Sequence, residues 1–188
     1  DYDSEYRYAS RPLACLQGLD QSGCVVYIGT FSKTIFPALR LGYVIAPAAM
    51  VDPLQAARAA ADRHSPALEQ AVLADFIGEG HYARHVRRMR ALYEERRDAL
   101  RDAVVRRLEG RLTLGSMDAG MHTVGWLPPG ADDRKISEAL LAVDVDAAPL
   151  SRYWTGTPSG SGLMLGYAAY TPEAIRAAVD RMTRVLER

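Results

Sequence analysis

Apolar positions along the chain follow two different rhythms. Residues 24 to 29 (Cys-Val-Val-Tyr-Ile-Gly) and 39 to 46 (Leu-Arg-Leu-Gly-Tyr-Val-Ile-Ala) are short runs rich in β-branched and aromatic side chains, bounded by Gly, Ser and Pro. Such runs predict buried strands, here joined by a polar loop. Ser65 before Pro66 has the form of an N-cap followed by proline in the first helical turn, and Leu68, Val72, Leu73 and Phe76 then recur at helical spacing before Gly78 and Gly80. From His81 to Leu108, Tyr82, Val86, Met89, Tyr93, Leu100, Val104 and Leu108 lie three, four or seven residues apart, so one long arginine-rich helix presents a single apolar stripe. After Gly110 the elements shorten. Met121 to Leu127 and Gly162 to Tyr167 read as strands, and Asp132 to Ala142 as a helix with Ile136, Leu140 and Leu141 inward. Thr171-Pro172 opens a last helix carrying Ile175, Val179, Met182 and Leu186.

This order predicts an α/β protein in two parts. Residues 1 to 80 read as the C-terminal part of a larger α/β layer whose earlier strands are missing, residues 81 to 109 as a long interdomain helix, and residues 110 to 188 as a small α+β domain. The opening Asp1-Tyr2-Asp3-Ser4-Glu5-Tyr6-Arg7-Tyr8 has neither a methionine nor a helix cap, and reads as cut from something longer. No repeat or low-complexity tract interrupts the pattern.

Composition narrows the class of function. The 188 residues are 48% hydrophobic and 24% charged, enough apolar content for a globular core. The formal net charge is zero, so this segment lacks the electrostatic footprint of a nucleic-acid-binding surface. Cys15 and Cys24 form neither a CxxC pair nor a disulfide framework, and no metal site is expected. No run approaches the length of a membrane span and no signal peptide is visible, so a cytoplasmic protein without a membrane partner is expected.

Of the 23 basic residues only Lys33 and Lys135 are lysines, so a lysine here calls for a chemical reason. Lys33 stands in Thr30-Phe31-Ser32-Lys33-Thr34, directly after the first strand, with Arg40 a few residues on. A lysine withdrawn from water can shed its proton, and a neutral amine attacks an aldehyde to form an imine; arginine cannot. The hydroxyls of Thr30 and Ser32 and the guanidinium of Arg40 are the donors a phosphate needs. Aldehyde and phosphate would then belong to one ligand. A Ser-Lys-Thr loop between strands is also common without any such role, and spacing alone does not decide between the two readings.

The wider pattern does. Asp1 to Tyr8, Tyr27-Ile-Gly-Thr-Phe-Ser-Lys33-Thr and Phe36-Pro-Ala-Leu-Arg40-Leu-Gly-Tyr43 closely resemble the fold type I pyridoxal-phosphate enzymes. Gln70, the stretch from Asp75 to Arg90, Tyr93 to Leu100, Gly120-Met-His122 and Gly162 to Tyr167 extend the likeness over almost the whole chain. The stretch from 75 to 100 makes it most similar to the aminotransferase-like domain of MocR-type regulators in the GntR superfamily. The resemblance implies the end of the large domain plus the small domain of the aspartate-aminotransferase-like fold, with pyridoxal 5'-phosphate as cofactor. It implies Lys33 as the covalent, catalytic lysine, Arg40 as the main phosphate ligand, and Thr30 and Ser32 as assisting donors. Tyr2 matches the tyrosine that bonds the cofactor's phenolic oxygen, and the aspartate that pairs with the pyridine nitrogen falls at or just before Asp1.

Two functions follow from this resemblance. One is a sensor that exchanges its imine at Lys33 for an amine or amino acid, in a homodimeric parent that meets DNA through an N-terminal domain outside this segment. The other is an aminotransferase passing an amino group from an amino acid to a 2-oxo acid. Relatives that transaminate hold the substrate carboxylate with an arginine near the start of the penultimate strand, where this chain has Gly162-Leu163-Met164-Leu165. Either Arg152 or a residue outside this segment supplies that charge, or ordinary amino acids are not processed. The run from Arg84 to Arg90 reads as a solvated helix face, His122 as a structural histidine, and Tyr153 and Trp154 as packing residues ahead of a Gly/Ser-rich loop.

Overall fold

The computed structural model of the chain describes residues 4–8, 13–64, 66–156 and 160–187. Asp1, Tyr2 and the Ser65 cap expected from the sequence lie outside them. The chain divides into two compact units, Asp1–Arg88 and Met89–Arg188, and the division falls inside the longest helix.

In the first unit a short helix α1 (Leu16–Leu19) leads into strands β1 (Tyr27–Thr30) and β2 (Gly42–Ile45), followed by α2 (Ala48–Asp62) and α3 (Ala67–Gly78). The strands pair antiparallel, with Tyr27 opposite Ile45 and Thr30 opposite Gly42. Both are shorter than the sequence predicts, for local reasons. The Asp20 carboxylate accepts from the backbone N–H groups of Ser22, Gly23 and Val25, which draws the chain into a turn and delays the ladder until Tyr27. These bonds favour the ionised form, chiefly that from Val25, and lower the Asp20 pKa to about 2. At the other strand, Pro37–Leu39 form a 3-10 turn where the apolar run promised the start of a strand.

Every residue of β2 is exposed, as is Ile28 of β1. Helix α2 is not foreseen by the apolar pattern and buries none of its fifteen residues. It carries Pro53 inside, which removes one backbone donor, while the alanines from Ala56 to Ala61 supply strong helix propensity. In α3 only Leu73 is buried, and Leu68 and Val72 of the expected stripe face solvent. The apolar runs predict strands within a larger layer; among the described residues no second layer covers these two, and their apolar faces are open.

Helix α4 (His81–Arg107) runs on into the second unit. There β3 (Thr113–Leu114), β4 (His122–Trp126), β5 (Ala148–Pro149) and β6 (Gly162–Gly166) form an antiparallel sheet in the order β3-β4-β6-β5. Helices α5 (Asp133–Leu141) and α6 (Pro172–Leu186) complete the unit. The core lies here: Leu100, Val104, Leu108, Leu140, Leu163, Leu165, Ile175, Val179 and Met182 are all buried. The β6 register of Val124 against Met164 sends Leu163 and Leu165 to the core face together. Gly125 lies close beneath them: a Cβ there would come within 2.9 Å of the Leu165 side chain and 3.0 Å of that of Leu112, so their methyl groups would have to shift. Tyr167, wholly buried, donates from its hydroxyl to the Gly120 carbonyl at 2.7 Å. Arg97, also buried, is charge-balanced by Glu94 and Asp98.

Asp133 is the buried polar group that ties this unit together. It is 4% exposed, and its carboxylate accepts the backbone N–H of Ser151 at 2.9 Å and of Gly162 at 3.3 Å, pinning both ends of the 150–162 segment to α5. Its neighbour Asp132 caps α5 through the Arg134 and Lys135 amides, which lowers the Asp132 pKa. Replacing Asp133 with Ala strands two inward-facing amides. Chemical denaturation followed by circular dichroism should show a loss of about 2–3 kcal/mol, with Asp133→Asn losing less because its amide oxygen still accepts.

Candidate functional site

The loop after β1 is built by three backbone closures. Phe31 N–H bonds the Leu41 carbonyl at 3.1 Å, carrying the β1–β2 pairing one step beyond the strands. Ile35 N–H returns to the Phe31 carbonyl at 2.9 Å, so residues 31 to 35 form a single helical turn with Lys33 at its centre. Arg40 N–H then bonds the Pro37 carbonyl at 3.3 Å and closes the 3-10 turn, after which the chain reverses into β2. Ser32 and Arg40 therefore flank the Phe31–Leu41 bond from its two sides.

Arg40 makes that reversal in the left-handed region, at φ 51°. Few non-glycine residues adopt such a backbone. The Arg40 side chain is exposed. Across the loop, Thr30 Oγ1 lies 3.1 Å from Ser32 Oγ and accepts the Ser32 N–H at 3.2 Å, which draws two hydroxyls together at the strand end. Lys33 is half-exposed as a residue, yet its Nζ is withdrawn from solvent. One loop thus carries Thr30, Ser32, Lys33 and Arg40, the four described residues that the sequence singles out, and brings the first two into contact.

What holds the turn is not visible in the sequence. The carbonyl of Lys33 accepts the hydroxyl of Tyr6, a wholly buried residue, at 3.4 Å. The carbonyl of Thr34 accepts His85 Nε2 at 2.9 Å. A carbonyl can only accept, so the His85 proton sits on Nε2. His85 is thereby taken out of the solvated arginine face expected for residues 84 to 90, while Arg84, Arg87 and Arg88 remain exposed as expected. The signal for His85 is present in the spacing: it lies three residues after Tyr82 and next to Val86, on the inward side of α4. Tyr6 has no comparable signal, because nothing local in Ser4 to Tyr8 marks it as buried.

Aromatic rings floor the turn. Phe31 packs against Tyr43 at 5.4 Å between centroids and edge-on against Tyr82 at 5.9 Å, and Tyr43 lies 5.9 Å from Tyr27. The Tyr43 ring occupies the space a side chain at Gly29 would need, since a Cβ there would collide with it. Burial pushes the Tyr82 phenol up, partly offset by the Thr34 hydroxyl. Tyr27 is pushed up to about 12, first by its hydrogen bond with Tyr43.

Among the described residues no cluster of His, Cys, Asp and Glu is arranged to hold a metal ion, and no helix is long and apolar enough to cross a membrane. Cys15 and Cys24 are both free thiols. Arg152 lies exposed on the turn Leu150–Tyr153 of the second unit, and β6 offers only Leu163, Met164 and Leu165 between its glycines.

Because the folded pKa of Tyr27 lies above the ordinary tyrosine value of 10.0, the stability it lends is present below pH 10 and is lost as pH rises toward about 12. Phenolate absorbance titration should find this late-titrating tyrosine, and Tyr43→Phe should move its midpoint back toward 10.0. An unchanged midpoint in the variant would show that the Tyr27–Tyr43 bond does not set it.

The comparisons with known proteins agree with this architecture. The chain is 40% identical over 182 residues to the probable rhizopine catabolism regulatory protein MocR of Rhizobium meliloti, covering 97% of this chain and 37% of that protein. It is 34% identical over 188 residues to the HTH-type transcriptional regulator TauR of Rhodobacter capsulatus, covering 99% of this chain and 38% of that one. It therefore spans little more than a third of the length of these curated relatives. Among solved structures it matches LysN, the alpha-aminoadipate aminotransferase of Thermus thermophilus complexed with N-(5'-phosphopyridoxyl)-L-leucine. That match has a TM-score of 0.89 and 26% identity, over 100% of this chain and 49% of that one. The model of the family "Aminotransferase class I and II" matches residues 4–182, and the chain belongs to that family.

Proposed function

We propose that this chain is the cofactor-binding, ligand-sensing part of a MocR-type transcription regulator, with pyridoxal 5'-phosphate held at Lys33. One observation carries the reading: the buried Lys33 amine shares a loop with the paired hydroxyls of Thr30 and Ser32 and with the left-handed Arg40. These groups fit a phosphorylated aldehyde. An amine withdrawn from water suits condensation with an aldehyde carbon, and two hydroxyls with a guanidinium supply the donors for a phosphate. The LysN complex, which contains a phosphopyridoxyl group, supports the same assignment by likeness of fold.

Pyridoxal phosphate supplies an aldehyde that condenses reversibly with amines. Lys33 would hold that carbon exchangeably, so that an amine or amino acid could take its place, and Arg40, Thr30 and Ser32 would hold the phosphate. Tyr6 and His85 would keep the turn in register, because their bonds go to its backbone carbonyls. Residues to about 80 would form the end of the large domain, those from 110 the small one, with α4 joining them. Tyr2 and Asp1 are assigned to the cofactor by the family resemblance alone. The parent would be a cytoplasmic homodimer that meets DNA through a part beyond this segment, in keeping with the regulators it resembles.

Transamination is the second reading, favoured by the 28% identity to the 2-aminoadipate transaminase of Thermus thermophilus. It requires a cation for the substrate carboxylate, and β6 supplies none.

The full-length protein reconstituted with pyridoxal phosphate should show a visible absorbance band that Lys33→Ala abolishes. Arg40→Ala should weaken cofactor binding about tenfold or more without removing the band at saturation. Amines should shift the band without net formation of an oxo acid if the protein is a sensor. Steady release of oxo acid would select the enzyme, and no band in any form would reject the cofactor.

A further inference from the structure

A cavity lies wholly within the Met89–Arg188 unit, between α4, the 144–147 loop, β6 and α6, with a volume of about 270 Å³. Its inner wall is apolar: Leu100, Leu165, Ile175, Val179 and Met182 line it, none more than 6% exposed. Protein interiors pack with few voids larger than a water molecule, and an apolar cavity of about 150 Å³ already admits benzene. Water gains little here, because the wall offers it few partners.

The rim is of a different kind. Asp144, Asp146, Tyr170 and Arg181 stand at it. Arg181 donates one guanidinium N–H to the Asp144 carbonyl at 3.2 Å, and no carboxylate among the described residues pairs with its charge. Asp144 takes the left-handed region at φ 57° where it closes the end of α5, with its N–H on the Leu141 carbonyl. No lysine lines the cavity, so nothing there can join covalently to an aldehyde.

We infer that this cavity is a non-covalent site for a small zwitterion with an apolar body, of the size of an aromatic or branched amino acid. Its body fills the space against Leu165, Val179 and Met182. Its carboxylate accepts from Arg181, and its ammonium is balanced by Asp144 and Asp146. A carboxylate alone would meet two acids of its own sign, and an ammonium alone would leave the Arg181 charge without a counter-charge, so a ligand carrying both charges fits best. This site is separate in chemistry from the Lys33 loop and does not require the cofactor.

The test uses the full-length protein carrying Lys33→Ala, so that amine condensation at Lys33 contributes nothing. L-phenylalanine is titrated while the methyl resonance of 13C-labelled Met182 is followed, beside 3-phenylpropionate and 2-phenylethylamine, which each lack one charge. A saturable Met182 shift with L-phenylalanine is expected, with each single-charge probe about tenfold weaker or more. Arg181→Gln should erase the preference for L-phenylalanine over 2-phenylethylamine. Ala178→Trp should fill the cavity and abolish the shift; should it fail to fold, Ala174→Trp, at an exposed rim position, should block entry. An unmoved Met182 resonance, equal binding of all three probes, or L-phenylalanine binding indifferent to Arg181→Gln and Ala174→Trp would each overturn the assignment.

Discussion

The bond from His85 Nε2 to the Thr34 carbonyl joins the start of the long helix to the turn that carries Lys33, across 51 residues of sequence. Without it and its neighbour from Tyr6, the 31–35 turn would rest on one backbone closure, and a single turn of that kind is marginal in water. Side-chain donors on two backbone carbonyls fix where the lysine side chain starts without gripping the amine itself. In the proposed role of Lys33, such an anchor would leave the amine able to change partners while the turn stays in place.

The rest of the loop follows from that anchorage. With the turn fixed, Phe31 is held over Tyr43 and Tyr82, and the Phe31–Leu41 bond returns the chain beside Ser32. The left-handed Arg40 then completes the return. Gly29 is part of the same design, because the ring that shields this face takes up the volume of its missing side chain. Around Arg40 the described residues supply a short ladder and an aromatic floor, while within this segment α2 buries nothing and β2 is open along its length.

The second unit is organised on the opposite principle. Its stability comes from a contiguous apolar core around α4, β6 and α6, with one buried carboxylate, Asp133, satisfying the amides that the sheet leaves over. The cavity beside Arg181 interrupts that packing where a rigid, well-filled interior would otherwise be expected.

Much of this was legible in the amino-acid sequence. The helical period of α4 and α6, the strands β4 and β6, the Thr171 cap and the Thr30, Ser32, Lys33 and Arg40 set are all local patterns, and local patterns survive without knowledge of the fold. The scarcity of lysine and the motif around Lys33 pointed to the cofactor class before any geometry was known. Helix α2 escaped because Pro53 and a run of alanines give no amphipathic contrast, and β1 was overextended because the Asp20 turn competes with the ladder for the same amides. Only the tertiary structure decided that Tyr6 and His85 hold the lysine turn, that Asp133 ties the 150–162 segment to α5, and that a cavity opens beside Arg181. Each of these joins residues distant in sequence through a hydrogen bond or a packing gap, and no local rhythm of polar and apolar positions encodes such a meeting.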